Sequence, residues 1–455
     1  MCLMAKQDND NIVSIENVNI VDVKNMSVSY NRTILIKNEL IASIGKASDA
    51  KIPDKARRLK ANNHYVIPGM WDMHAHITDE NYINYYSDIL LINGVTGVRN
   101  MGSKSSFKTI RRLRDEHFPH GPHRPRIFAS GPPLDGLLPD GSQIRGHVVV
   151  SNENDASLIV DKMIDDGFDF IKIYSFMDRR SYFAVARRAN YRKIPFAGHV
   201  PATITAEEAS DAGQKCFEHL LGVIESCSHK SRKIKPMLRL VDYAINADEV
   251  VNAYDEESAR ALFARFARNG TWQCPTLIAL RPLEEIDDSF FSNDPNSEYL
   301  PAPLREAMKP HGKSLKFGFM SERQHNKGVL IFSKFMNMVK TMHESKVKIL
   351  AGTDTSIYSV PGFNLHDELE LLVRAGLPPS AALQAATLNP AEYFGILDKC
   401  GTVEPEKWAD LVLLSENPLN DIKNTRKIFA VFIRGNLLDQ EYIKKAKIKI
   451  LGGNY

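Results

Sequence analysis

Short apolar runs broken by polar punctuation mark both ends of the chain. Over residues 12–66 the runs Val18–Val23, Thr33–Ile36 and Leu40–Ile44 are separated by Asn, Gly, Lys and Asp, a pattern that predicts short β-strands. Residues 401–438 repeat it, with apolar runs at Asp410–Leu414 and Ile428–Ile433 and a turn at Arg434-Gly435-Asn436. Two β-rich ends flanking a different middle predict one small β-sandwich domain, 1–66 plus 401–455, assembled from both termini.

The middle, 67–400, alternates short apolar strands with helical periodicity. Strands are expected at Tyr65–Met70, Thr96–Val98, Arg126–Ser130, Phe168–Ile173, Pro195–Gly198, Lys215–Phe217, Thr271–Pro275 and Lys348–Ala351. Between them, Leu365, Leu369, Leu372 and Val373 share one helical face. Eight βα units in this length predict an α/β fold, a (β/α)8 TIM-like barrel, whose usual size is about 250 residues before insertions. Asn389-Pro390 reads as a helix N-cap followed by Pro at the first helical position. The stretch 280–345 is longer than an ordinary crossover. It carries several prolines and then an amphipathic helix around Val329–Met342, so it reads as a helical insertion, a lid or the contact of a homo-oligomer. The tail Tyr442–Ile450 alternates Lys and Ile and reads as a solvated amphipathic end.

Composition narrows the partners. Of 455 residues, 58 are Lys or Arg and 55 Asp or Glu, a net charge of +3 that gives no footprint for nucleic acid or an acidic membrane. No apolar run reaches the roughly 18 residues of a spanning helix. The five cysteines are scattered without a Cys-x-x-Cys pair, which argues against a disulfide framework and for a reducing compartment. The expected location is cytoplasmic, with export after loss of a leader as the alternative.

Candidate chemistry clusters at the ends of the expected strands. Pro68-Gly69-Met70-Trp71-Asp72-Met73-His74-Ala75-His76 follows the first. Histidines two apart on extended backbone point to one side, so His74 and His76 can meet one metal ion. Asp72 shares that spacing and is expected to accept a hydrogen bond behind them. Lys172 lies in an apolar strand, where a charged amine is costly. It either snorkels to solvent or stays neutral and reacts with CO2, giving a carbamate that can bridge two cations. His199 and His219 end the fifth and sixth strands, and Asp354 closes the eighth. Each alone reads as a core histidine or a helix cap; five strands each supplying a metal-type side chain at one rim do not. His117, His120 and His123 resemble a metal cluster, but Pro119 and Gly121 break the helix that spacing needs, so a polar loop is the better reading. His366, near the start of a helix, is expected to cap it or support the site.

With these residues the chain resembles the amidohydrolase superfamily, in its binuclear branch with a carboxylated lysine, and is similar to the prolidase-like dipeptidases, whose relatives include imidazolonepropionase. The resemblance implies that His74, His76 and Asp354 hold one divalent ion, that His199 and His219 hold the other, and that carbamylated Lys172 bridges them, zinc being the expected metal. It also implies that His147, in Gly146-His147, contacts substrate. Arg145 stands where relatives often show glycine.

The expected reaction is hydrolysis of the amide in a dipeptide or N-acyl amino acid. Zinc lowers the pKa of bound water from about 15.7 toward about 7. Asp354 moves the proton, His147 stabilises the oxyanion, and Tyr174 and Arg145 are candidates for a substrate carboxylate. Deamination, lactone opening or cyclic-amide hydrolysis is the alternative within the superfamily, although Lys172 speaks against a single-metal site. A catalytically inactive scaffold is the alternative from another class. Lys172→Ala is expected to abolish metal bridging and turnover; two metals per chain with near-normal turnover in that variant would refute the assignment.

Overall fold

The computed structural model describes residues 11–77, 80–102, 123–228, 237, 240–284, 294–306, 322–355, 359–453 and 455. Cys2, His117 and His120 lie outside them. The other four cysteines are buried free thiols. Among the described residues no helix is long and apolar enough to cross a membrane.

Both chain ends build one eight-stranded sheet. Its N-terminal strands are β1 (Ile12–Asp22), β2 (Ser27–Lys37), β3 (Leu40–Lys46), β4 (Arg57–Lys60) and β5 (Tyr65–Pro68). Its C-terminal strands are β15 (Leu411–Leu414), β16 (Ile428–Ile433) and β17 (Asn436–Leu438), in the order β17-β16-β15-β5-β1-β2-β3, with β4 against β1. The seam between the ends is antiparallel, Leu411 opposite Pro68 through Leu414 opposite Tyr65. Period-two alternation divides β15. Leu411 and Leu413 join Val13, Ile15, Ile34, Ile36 and Phe432 in one core, while Val412 and Leu414 face the main body. The expected turn at 434–436 is present, with Arg434 and Gly435 both left-handed, as a two-residue hairpin requires.

The expected first strand of the central unit is in fact two. It divides at Gly69, where a Cβ would lie 2.0 Å from Thr96 Oγ1. Tyr65–Pro68 belongs to the terminal sheet, and Met70–Ala75 (β6) starts the parallel strands. β6 runs beside β7 (Val95–Asn100), and β7 beside β8 (Arg126–Ala129). A second parallel group has the order β10-β9-β11-β12-β13-β14. Its members are β9 (Leu134–Asp135), β10 (Val148–Val149), β11 (Ile171–Ile173), β12 (Phe196–Gly198), β13 (Cys216–Glu218) and β14 (Trp272–Cys274). Single parallel bridges join Ser130 to Phe170, Gln273 to Ile349 and Ala75 to Thr355. The segment Lys348–Ala351, expected as a strand, makes only these ladder fragments. Leu350 N donates to Gln273 O (2.8 Å) and Met73 N to Ala351 O (2.9 Å). One or two side chains from successive strands, Trp71, Met73, Phe170, Ala197, Cys216, Trp272, Cys274 and Leu350, pack together between them.

Helices follow the strands. Among them are α1 (Ile83–Ile92), α2 (Glu153–Asp165), α3 (Arg179–Arg192), α4 (Ala206–Asp211) and α5 (Glu256–Asn269). Thr205 and Glu208 form a reciprocal capping box on α4. In the 280–345 stretch, α6 (Glu322–Glu344) buries Ile331, Phe335, Met338 and Met342 at helical spacing. The helix expected to begin at Asn389-Pro390 spans Leu388–Phe394 and is capped at Thr387, two residues earlier.

The tail is a correction. Rather than a solvated end, Gln440–Leu451 (α8; α7 is Phe363–Arg374) buries Ile443, Ala446 and Ile450 against Tyr85 and Ile89 of α1. Asp88 accepts from Tyr442 Oη (3.0 Å), Lys449 Nζ (3.0 Å) and Tyr455 Oη (2.7 Å).

Arg126 on β8 ties the parallel strands to the terminal sheet. Its Nε donates to Asp410 Oδ2 at 2.5 Å and its guanidinium lies 3.7 Å from the Trp408 ring centroid, with both charges buried. Asp410 also accepts from Arg434 N at 2.7 Å. Removing one partner of such a buried pair strands the other. Asp410→Ala is therefore expected to cost about 3–5 kcal/mol in chemical denaturation; a loss below about 1 kcal/mol would show that the link is solvated.

Candidate metal centre

β6 and the residue that follows it deliver two imidazoles to one carboxylate. His76 Nε2 lies 3.1 Å and His74 Nε2 3.4 Å from Asp354 Oδ1, and His219 Nδ1 lies 4.0 Å from Oδ2. His74, His76 and Asp354 thus offer three ligand atoms to one ion. The backbone places Asp354 there: its N–H donates to His74 O at 2.7 Å, and its own φ is +52°. His219, Leu220 and Thr276 are also left-handed, and such residues persist only where surrounding contacts hold them.

Each buried imidazole is held through Nδ1. For His74 the partner is Glu218 Oε2 (2.7 Å), for His199 Ser175 Oγ (2.7 Å), and for His219 Thr276 Oγ1 (2.7 Å). His74 Nε2 is buried and makes no hydrogen bond among the described residues. The His74 and His219 ring centroids are 4.6 Å apart, and those of His199 and His219 5.0 Å. Burial pushes all three below the ordinary histidine range, with nearby Lys172 adding to it, and His219 comes to about 4. They are neutral at neutral pH, the form that binds metal. Burial alone would raise Asp354, but the adjacent His219, His74 and His76 outweigh it and hold the carboxyl well below the usual range. Nitrogen donors held in place around an ionised carboxylate are a donor set that fits a divalent ion.

Lys172, on β11, is buried, and desolvation lowers its pKa. Opposite it, Gly198 has φ +133°, and a Cβ there would come within 2.2 Å of Ile173 O and 3.0 Å of Lys172 Cδ. Only glycine leaves that stem room.

His147 and Tyr174 adjoin the centre. Tyr174 lies between His147 and His199, with centroids 4.5 and 4.2 Å away. Burial pushes the Tyr174 phenol up to about 12, so it stays a donor. His147 Nδ1 bonds Asp135 Oδ2 (2.9 Å), while Asp135 Oδ1 accepts from Phe176 N and Gly136 N. Arg145 is exposed in the turn two residues before His147. Asp72 does not reach an imidazole. Its carboxylate accepts from the backbone N–H of His74 and of Thr353, and from the Thr353 hydroxyl, so it splints the strand end to the Asp354 segment. His366 plays no part here: in α7 it bonds Thr425 Oγ1 and Asn93 O, joining helices to the terminal segment.

Sequence reasoning missed Glu218, Arg99, Ser175, Thr276 and Asp135. Glu218 had one local signal, a carboxylate directly before His219 in an apolar strand.

Parallel strands whose ends converge on imidazoles and a carboxylate define an α/β protein with a candidate metal centre. Residues 65–438 match the amidohydrolase family, and the chain belongs to that family, hydrolases of carbon–nitrogen bonds. Ochratoxinase of Aspergillus niger is 23% identical over 431 residues, covering 86% of this chain and 79% of that protein. The crystal structure of a putative prolidase from Bifidobacterium longum superposes with TM-score 0.69 at 21% identity, covering 97% of this chain and 99% of that one. A bottromycin amidohydrolase structure superposes with TM-score 0.77 at 22% identity, over 97% of this chain and 90% of that one. These likenesses establish a TIM-barrel-like α/β fold.

Gly198→Ala is expected to lose about 1–3 kcal/mol of stability through backbone strain and to displace Lys172. A thermal melt matching wild type would show that the β11–β12 approach relaxes freely.

Proposed function

We propose that this chain is a metal-dependent amidohydrolase that cleaves the amide bond of a dipeptide or N-acyl amino acid. One observation carries the proposal: two imidazole Nε2 atoms from one short segment converge on Asp354 Oδ1, and one of them, His74 Nε2, is buried with no hydrogen bond among the described residues. A putative prolidase and a bottromycin amidohydrolase among the similar structures favour an amide as the bond cleaved.

In this reading the three bridges at Ser130, Gln273 and Ala75 close the parallel strands into a (β/α)8 barrel, 67–400. Residues 1–66 with 401–455 form the β-sandwich domain beside it. His74, His76 and Asp354 would hold one divalent ion, and His199 and His219 the other, zinc being expected at both. The desolvated Lys172 amine would add to CO2, forming an N–C bond and losing a proton, and the resulting carbamate would offer the ions an anionic oxygen ligand. When bound, the ions acidify a water toward neutrality and polarise the scissile carbonyl.

The chain's own groups do the rest. Ionised Asp354 takes the proton of the nucleophile and passes it to the leaving amine. His147, doubly protonated with Nδ1–H donating to Asp135, would donate through Nε2–H to the carbonyl oxygen as charge builds there. Tyr174 and Arg145 bind the substrate carboxylate, Arg145 moving in from its exposed turn. The insertion 280–345 supplies the contact of a homo-oligomer; Val329 and Leu330 stand exposed on α6.

Purified protein with about two zinc ions per chain is expected to hydrolyse members of a panel of dipeptides and N-acyl amino acids, to lose activity on chelation and to regain it with zinc. Asp354→Asn should lower kcat by roughly 10²–10⁴-fold. Activity that persists in metal-free protein, or is unchanged in that variant, would overturn the reading.

A further inference from the structure

Behind the centre is a polar arrangement that none of the roles above uses. Glu218 on β13 is completely buried, one residue before His219, and its two oxygens face two different partners. His74 Nδ1 lies 2.7 Å from Oε2. Arg99 Nη2, from β7, lies 2.8 Å from Oε1 and 2.9 Å from Oε2. Arg99 is also buried, and its Nε donates to Met73 O at 2.5 Å, the residue before His74. Its guanidinium stacks 5.0 Å from the Tyr393 ring centroid. The geometry leaves Glu218 two possible fates, because His74, Glu218 and Cys274 are themselves close enough to hold an ion. Arg99 decides between them by occupying both carboxylate oxygens.

We propose that Arg99 and Glu218 are positioning residues for the metal centre. Glu218 takes the His74 Nδ1 proton as a hydrogen bond, which fixes the tautomer that presents Nε2 toward Asp354. Arg99 neutralises Glu218, keeps it from becoming a ligand, and pins the strand at Met73. The inference rests on the metal-dependent reading of the site, so its test separates the two.

The measurement is binding of zinc to metal-stripped protein against a competing chelator, with cobalt absorption as a second readout of ligand geometry. Two variants are compared with wild type: Glu218→Gln, and Glu218→Gln with Arg99→Met, which removes both charges together. Carboxylates behind ligating histidines typically account for 10–100-fold in metal affinity. Both variants are expected to bind one zinc 10–100-fold more weakly with an altered cobalt spectrum. The double variant should melt close to wild type when metal-free, since it strands no buried charge. Wild-type affinity and spectrum in the double variant would overturn the positioning role while leaving the metal centre standing. Failure of wild type to bind zinc or cobalt would overturn both. Loss of cooperative melting in both variants would assign the pair to core folding and overturn the proposal equally.

Discussion

The N–H of Asp354 donates to the carbonyl of His74, and with Met73 N donating to Ala351 O this bond sets the far end of the central region against its beginning. The site depends on this contact. It brings a carboxylate to two imidazoles that lie some 280 positions earlier, and the buried Asp72 carboxylate reinforces it by bonding the backbone on both sides of the join. Asp354 takes up a left-handed backbone to make the contact. The cost of that conformation is offset by the surrounding hydrogen bonds, which is how strained residues survive at working sites.

Around the join, burial does the electrostatic work. It pushes the imidazoles and Lys172 toward their neutral forms, while the hydrogen bond from His76 helps to keep the Asp354 carboxyl ionised against burial. Neutral nitrogens facing a carboxylate, with the buried rings held through their other nitrogens, are a donor set that suits a cation. Water could not present these groups in this state, because in bulk solvent the rings would rotate and exchange tautomers freely.

Much of this was legible in the sequence because strand-end positions are local features. His74, His76, His199, His219 and Asp354 lie at the ends of apolar runs and Lys172 within one, and apolar runs are the signal of a parallel strand. The groups behind them were not legible. Glu218, Ser175 and Thr276 are ordinary residues whose meaning comes from a partner on another strand, and no periodicity encodes that pairing. The tail misled for a different reason. Lys and Ile alternate there with a period of two, yet the buried positions are 443, 446 and 450, a helical spacing that short windows hide. The division at Gly69 was concealed because Tyr65–Met70 is uniformly apolar, so composition could not show that its halves serve different sheets.

The shared terminal sheet has a consequence for biosynthesis. β5 is made early, but its neighbour β15 is the segment Leu411–Leu414, so the strand leaves the ribosome with one edge unsatisfied. At about 5–20 residues per second, the intervening chain takes tens of seconds to emerge. During that interval Tyr65–Pro68 presents an unpaired edge, a template for the wrong partner until Leu411–Leu414 is made.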